Sequence, residues 1–202
     1  FKNLFFVGDA TAAGWNTNNN NQALYRDASN TNKFYFTGKF GTSMFKLLEI
    51  LGDNTWQPQW GLKGGVVANS DGGEPEPFTV STAGYYTFEV DILAKTYSIT
   101  PYSGAMTTYS SIDIAGNLNG WSGSTVLTQS SFDPHQWFIK DLVVSSNGEA
   151  KFRANGTWDI NWGAAAEFSG QGTQGGANIP LNAGTYDVYF NDIDGRYVFV
   201  KK

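Results

Sequence analysis

The chain has 202 residues, of which 41% are hydrophobic and only 15% charged. That is enough apolar content for a packed core and too little charge for a disordered chain. A formal net charge of -5 sets nucleic acid aside as a partner, because phosphate binding needs a Lys/Arg surplus to release counterions. With Cys 0 there is neither a disulfide staple nor a thiolate metal site.

Gly 24 and an aromatic share of 16% point to short strands joined by tight turns. In chain order, Leu4-Phe5-Phe6-Val7-Gly8-Asp9 reads as a strand running into a glycine turn and Gly14-Trp15. Lys33 to Phe40 and Met44 to Leu47 follow as two strands expected to pair. Then comes Trp56-Gln57-Pro58-Gln59-Trp60-Gly61, and the stretch closes on Ala83 to Val90 with Tyr97-Ser98-Ile99. After a polar segment from Pro101 to Ser110 the same order returns. Ile112-Asp113-Ile114-Ala115-Gly116-Asn117 leads to Gly120-Trp121, and Gln136 to Val143 and Ala150 to Arg153 supply the next two strands. Trp158-Asp159-Ile160-Asn161-Trp162-Gly163 repeats the double tryptophan at identical spacing, and Ala183 to Phe190 with Tyr197-Val198-Phe199 closes the copy. Two modules are therefore expected, 1–104 and 109–202.

Tyr186, Val188 and Phe190 alternate with polar neighbours, as in a half-buried strand. Asp194-Gly195 marks a hairpin turn that needs positive φ. No segment carries a helical stripe, so the predicted fold is all-β, two tandem immunoglobulin-like antiparallel β-sandwich modules.

Six of the seven tryptophans recur between the copies. Trp15, Trp56, Trp121 and Trp158 follow glycine or polar residues, which predicts loop positions with an exposed indole face. Such a face matches the weakly positive C–H surface of a pyranose ring. Lys and Arg can donate to vicinal hydroxyls, and an Asn amide donates and accepts at once. The candidate ligand-binding residues are thus Trp15, Lys46, Asn54 and Trp56 in the first copy, and Trp121, Lys151, Arg153, Asn155 and Trp158 in the second. Lys151 and Arg153 are two apart on one strand and should share a face, with Phe152 turned to the core. Trp60 and Trp162 are expected to pack beneath their loops, and Trp137 to lie in the core.

The run Lys151-Phe152-Arg153-Ala154-Asn155-Gly156-Thr157-Trp158-Asp159-Ile160-Asn161-Trp162-Gly163, followed by Gly175-Gly176-Ala177-Asn178-Ile179-Pro180-Leu181, resembles the SusE/SusF family of outer-membrane starch-binding lipoproteins. It is also similar to starch-binding modules appended to bacterial pullulanases and amylases. The resemblance spans both copies, more loosely in the first, where Leu48 stands in place of an arginine-like partner. It implies tandem modules that hold starch or maltooligosaccharide near a TonB-dependent importer. It further implies a lipid anchor, an upstream domain and a place at the surface of the outer membrane. The chain opens at Phe1 without a basic, apolar leader, so the expectation is a processed or trimmed fragment with such parts upstream.

An enzyme would need a carboxylate pair, a nucleophile with its base, or a metal cluster. His135 reads as a solvated turn histidine, and Glu149 and Asp159 have no repeated acidic counterpart. No catalytic residue and no cofactor is expected. Asp71-Gly72-Gly73-Glu74-Pro75-Glu76 offers oxygens to Ca²⁺ but reads more simply as a solvated acidic loop. The alternative function is a surface β-sandwich protein that binds another glycan, or a protein partner with the tryptophans at the interface.

Overall fold

A computed structural model describes all of residues 1–202. Contacts divide the chain into two compact units, Phe1–Gly104 and Ala105–Lys202. The first contains β1 (Phe5–Val7), β2 (Tyr25–Arg26), β3 (Lys33–Phe40), β4 (Ser43–Leu48), β5 (Gln59–Lys63), β6 (Val66–Asn69), β7 (Phe78–Val80), β8 (Gly84–Asp91) and β9 (Thr96–Pro101). The second contains β10 (Ile112–Gly116), β11 (Thr125–Val126), β12 (Thr128–Gln129), β13 (Gln136–Val144), β14 (Gly148–Ala154), β15 (Asn161–Gly163), β16 (Ser169–Gln171), β17 (Thr173–Gln174), β18 (Ile179–Leu181), β19 (Gly184–Asn191) and β20 (Arg196–Lys201). The only helical pieces are 3-10 turns at Ser70–Gly72 and Asn117–Asn119. The fold is all-β, as the sequence predicts.

Each unit is built from two antiparallel sheets. In the first, β1-β4-β5-β6, with β7 also paired to β4, packs over β2-β3-β8-β9. In the second, β11-β10-β14-β15-β17, with β18 also on β14, packs over β12-β13-β19-β20-β16. The expected pairing of Lys33–Phe40 with Met44–Leu47 does not occur. β3 pairs with β2 and β8, whereas β4 pairs with β1, β5 and β7. The short connection carries the chain from one sheet to the other, as a sandwich requires when both strands have an inward apolar face.

Alternation along the strands supplies both cores. Phe6 of β1 and Phe45 of β4 reach across to Phe36 and Phe88 of the opposite sheet, with ring centroids 4.9 and 5.2 Å apart. In the second unit Phe152 stacks on Phe190 at 4.4 Å, and Trp162 packs against Phe190 at 5.2 Å. Trp60, Trp162 and Trp137 are all buried, in keeping with their predicted packing roles. The glycine after each of the first two has a steric cause. A Cβ at Gly61 would lie 2.2 Å from the Glu76 carbonyl oxygen, and one at Gly163 would lie 2.0 Å from that of Ala177. A neighbouring backbone passes too close for any side chain, which explains why the Trp-Gly pair recurs.

His135 is not a solvated turn residue. Its ring is buried, and Nδ1 lies 2.7 Å from Asp192 Oδ1, while the Trp137 indole donates to Asp192 Oδ2 at 2.7 Å. Burial pushes the Asp192 carboxyl up to about 6, against the downward pull of the hydrogen bonds from Trp137 and His135. The first unit has Asn32, Phe34 and Ile92 at the equivalent places, and the equivalence is exact in hydrogen bonding. Ile92 N donates to Asn32 O at 3.0 Å, just as Asp192 N donates to His135 O at 3.1 Å.

Candidate functional site

Trp158 leaves the end of β14 on a tight turn whose first residues, Asn155 and Gly156, both have positive φ, 57° and 68°. Asn tolerates this left-handed conformation better than most residues. Trp121 stands on the loop between β10 and β11, itself at φ 65°. The two indoles meet with centroids 6.0 Å apart and planes inclined at 34°. Trp158 is 42% exposed, so this pair forms an angled aromatic surface open to solvent.

Against the Trp158 ring lies Arg153. Its guanidinium carbon is 4.6 Å from the Trp158 ring centroid. Nε and Nη2 donate to the two carboxylate oxygens of Asp113 at 2.9 and 3.0 Å, and Nη2 also donates to Gly123 O at 3.2 Å. Ser124 Oγ donates to the same carboxylate at 2.7 Å. The buried Asp113–Arg153 fork therefore braces both tryptophans, Trp158 through the cation–π contact and the Trp121 loop through Gly123 and Ser124. Lys151 acts on the same turn, since Nζ donates to Asn161 Oδ1 at 3.0 Å and Asn161 Nδ2 donates to Trp158 O at 2.9 Å. Asn155 turns its side-chain oxygen to the chain instead of outward. Ser110 N, Ser110 Oγ and Ser111 N all donate to it, at 3.0, 2.7 and 3.4 Å.

In the first unit Trp15 and Trp56 border two hollows of about 420 and 510 Å³. Asn16, Thr17, Asp53 and Asn54 complete the smaller, and Lys46, Gln57, Gln59, Glu74 and Pro77 the larger. The two tryptophan loops are tied together: Thr17 Oγ1 donates to Gly52 O at 2.6 Å, and Asn18 Nδ2 to Asp53 Oδ1 at 2.8 Å. Asn54 is the counterpart of Asn155, with φ 55°. Lys46 is buried along its stem, and Nζ donates to Glu74 Oε1 at 2.9 Å. This bond and the ammonium charge hold the Glu74 carboxyl below its ordinary range.

Strand register aligns the units more finely than the residue strings do. Lys46 pairs with Val7 and Lys151 with Ala115; Leu48 pairs with Phe5 and Arg153 with Asp113. The Asp113–Arg153 fork of the second unit is thus replaced in the first by the buried pair Phe5 and Leu48. Gln59 and Asn161 are likewise equivalent, paired with Leu48 and Arg153. Asp113, Asn161 and Gln59 are not among the residues the sequence singles out for a site, and Glu74 is singled out only as part of an acidic loop. The two amides carried a usable signal, standing one residue before Trp60 and Trp162 in both copies. The acidic loop of residues 71–76 binds within the chain: Asp71 Oδ2 accepts from Asn69 Nδ2 at 2.7 Å, and Glu74 holds Lys46. No group of three or more His, Cys, Asp or Glu side chains is placed to hold a metal ion.

No protein-family model matches the chain, and no curated protein matches it. Among solved structures the chain is similar to SusF from Bacteroides thetaiotaomicron, at 18% sequence identity and a TM-score of 0.39. The match covers 98% of this chain and 48% of that one, so this chain spans about half the length of SusF.

Proposed function

We propose that the chain is a non-catalytic carbohydrate-binding protein whose two units hold starch-like α-glucan on paired tryptophans. The observation that carries this reading is the Trp121–Trp158 surface, with its rings 6.0 Å apart and inclined at 34°. Pyranose faces stack on indole faces through their C–H groups. Successive residues of an α-1,4-linked chain turn relative to one another, so two sugars in sequence meet an angled pair of rings better than a flat one. A straight β-1,4-linked chain would favour coplanar rings. The polar groups Arg153 and Lys151 are already bonded within the protein, so stacking supplies most of the affinity. In the first unit Lys46 borders the same hollow of about 510 Å³ as Trp15 and Trp56, which supports the same use there.

The reading extends to capture of polysaccharide at a bacterial cell surface, with a lipid anchor outside this chain and hand-over to a TonB-dependent importer. Two binding units on one chain suit that task, because a long polymer that engages one site raises the effective concentration at the other. Calorimetry with maltoheptaose tests the core of the proposal. Wild-type protein should bind, Trp158→Ala should remove the second unit's contribution, and Trp56→Ala should remove the first's. If both variants bind like wild type, the tryptophans do not form the sites. Release of reducing sugar from soluble starch by the pure protein would refute the non-catalytic part.

A further inference from the structure

Lys46 and Lys151 occupy the same register position, and a side-chain amide stands beside each, Gln59 and Asn161. In the second unit the pair is closed: Lys151 Nζ donates to Asn161 Oδ1 at 3.0 Å. In the first unit it is open. Lys46 Nζ turns to Glu74 Oε1, and Gln59 Oε1 is left as a buried acceptor without a donor. Gln59 is only 3% exposed. An orphaned carbonyl oxygen is rare in a native interior and calls for a partner. Lys46, Gln59 and Glu74 all border the 510 Å³ hollow that Trp15 and Trp56 share.

We infer that this hollow recognises a neutral hexose through adjacent hydroxyls and rejects anionic glycans, with Glu74 and Gln59 as its specificity-determining residues. The inference rests on the carbohydrate-binding reading above. One hydroxyl accepts from Lys46 Nζ and donates to Glu74, while its neighbour donates to Gln59 Oε1. A hydroxyl does both jobs at once, which an ammonium or a carboxylate cannot. The Glu74 side chain is 76% exposed, so a uronate or sulfate on the ligand would meet a carboxylate that already neutralises the only ammonium lining the hollow. The second unit has no counterpart, since its lysine is held by a neutral amide.

The test uses the whole chain with Trp121→Ala and Trp158→Ala to silence the second unit. Binding is measured for maltoheptaose and for the same α-1,4 oligomer oxidised to the carboxylate at C6, which keeps its 2- and 3-hydroxyls. The neutral ligand should bind at least about tenfold tighter. Glu74→Gln should weaken neutral binding about tenfold and shrink the preference to within about threefold. Gln59→Leu should weaken neutral binding roughly fivefold and keep the preference. Equal binding of the two ligands, or a Glu74→Gln variant that changes neither the affinity nor the preference, overturns the inference. Maltoheptaose binding that is lost in Trp56→Ala but indifferent to Glu74→Gln overturns it alone. Failure to bind either ligand overturns it together with the function proposed for this unit.

Discussion

The two units solve the same packing problem with different chemistry. Where the second buries Asp113 against Arg153, the first buries Phe5 against Leu48. Where the second buries Asp192 with His135 and Trp137, the first has Ile92 and Phe34. Apolar pairs suffice to close the sandwich, so the charged sets in the second unit are not required by the fold. One of them reaches out to the candidate site, since the Arg153 fork supports both tryptophans. The first unit lacks that brace and has instead an open hollow with an unsatisfied amide. The second platform is thus prearranged, and the first is left with a buried acceptor, Gln59 Oε1, still without a donor.

The sharpest way to break the comparison is to remove half of the fork. Arg153→Leu leaves Asp113 buried without its partner and should destabilise the second unit by about 3–5 kcal/mol, read as a fall in its thermal transition. Adding Asp113→Phe, which installs the first unit's pair, should restore most of that loss, because well-packed apolar residues commonly match a buried ion pair. The repaired variant should still bind maltoheptaose more weakly than wild type, since Trp158 no longer rests on a guanidinium. Full affinity in the repaired variant would show that the fork does not serve the platform.

Next in size is the platform itself. Trp158→Ala should cost the second unit ~2 kcal/mol or more in binding, the scale of a truncated aromatic anchor. On the proposed reading the two units act together on a polymer, so the same variant should lose more affinity for soluble starch than for maltoheptaose. An equal loss for both ligands, measured by calorimetry and by starch-bead depletion, would mean that the units bind independently.

Only the second unit should respond to mild acid through Asp192. Its carboxyl titrates higher in the folded protein, near 6, than in the unfolded chain, near 3.8, so the native state holds the proton more tightly. That stabilisation is fully present below about pH 4 and is lost as pH rises through about 6, with a slope of at most about 1.4 kcal/mol per pH unit. Thermal unfolding between pH 4 and 8 should show it, and Asp192→Asn should flatten the profile. An unchanged profile in that variant would assign the titration elsewhere. The smallest effect belongs to Gln59→Leu, which removes an orphaned acceptor and should stabilise the first unit by about 1 kcal/mol while weakening its ligand.

Much of this difference is invisible in the sequence, for reasons that can be named. Strand extents were legible where the apolar alternation is strong: the segment predicted as Lys33 to Phe40 is β3 itself. The recurring Trp-Gly pairs were legible because a backbone close approach leaves no other residue possible. Register was less so. The strings align Lys46 with Phe152, whereas hydrogen bonding aligns it with Lys151, because Met44-Phe45-Lys46-Leu47-Leu48 has no arginine to anchor the comparison. Asn155 is expected as a ligand donor because its chemistry suits a sugar, and the structure gives its side-chain oxygen a second role. The same amide suits a left-handed turn and a Ser110–Ser111 clamp equally well, and composition does not choose between them. His135 and Asp192 lie 57 residues apart, and Lys46 and Glu74 lie 28 apart. Pairs at such separations are made by the fold and leave no local pattern.

The Trp121–Trp158 pair also has an optical consequence. Two indoles 6.0 Å apart and inclined at 34° are close enough for their electronic transitions to couple, which splits the absorption and gives circular dichroism a paired positive and negative band. The second unit therefore carries a built-in spectroscopic label. Trp121→Phe should erase it, and any ligand that shifts either ring should change its intensity, so occupancy of this platform can be followed without attaching a dye.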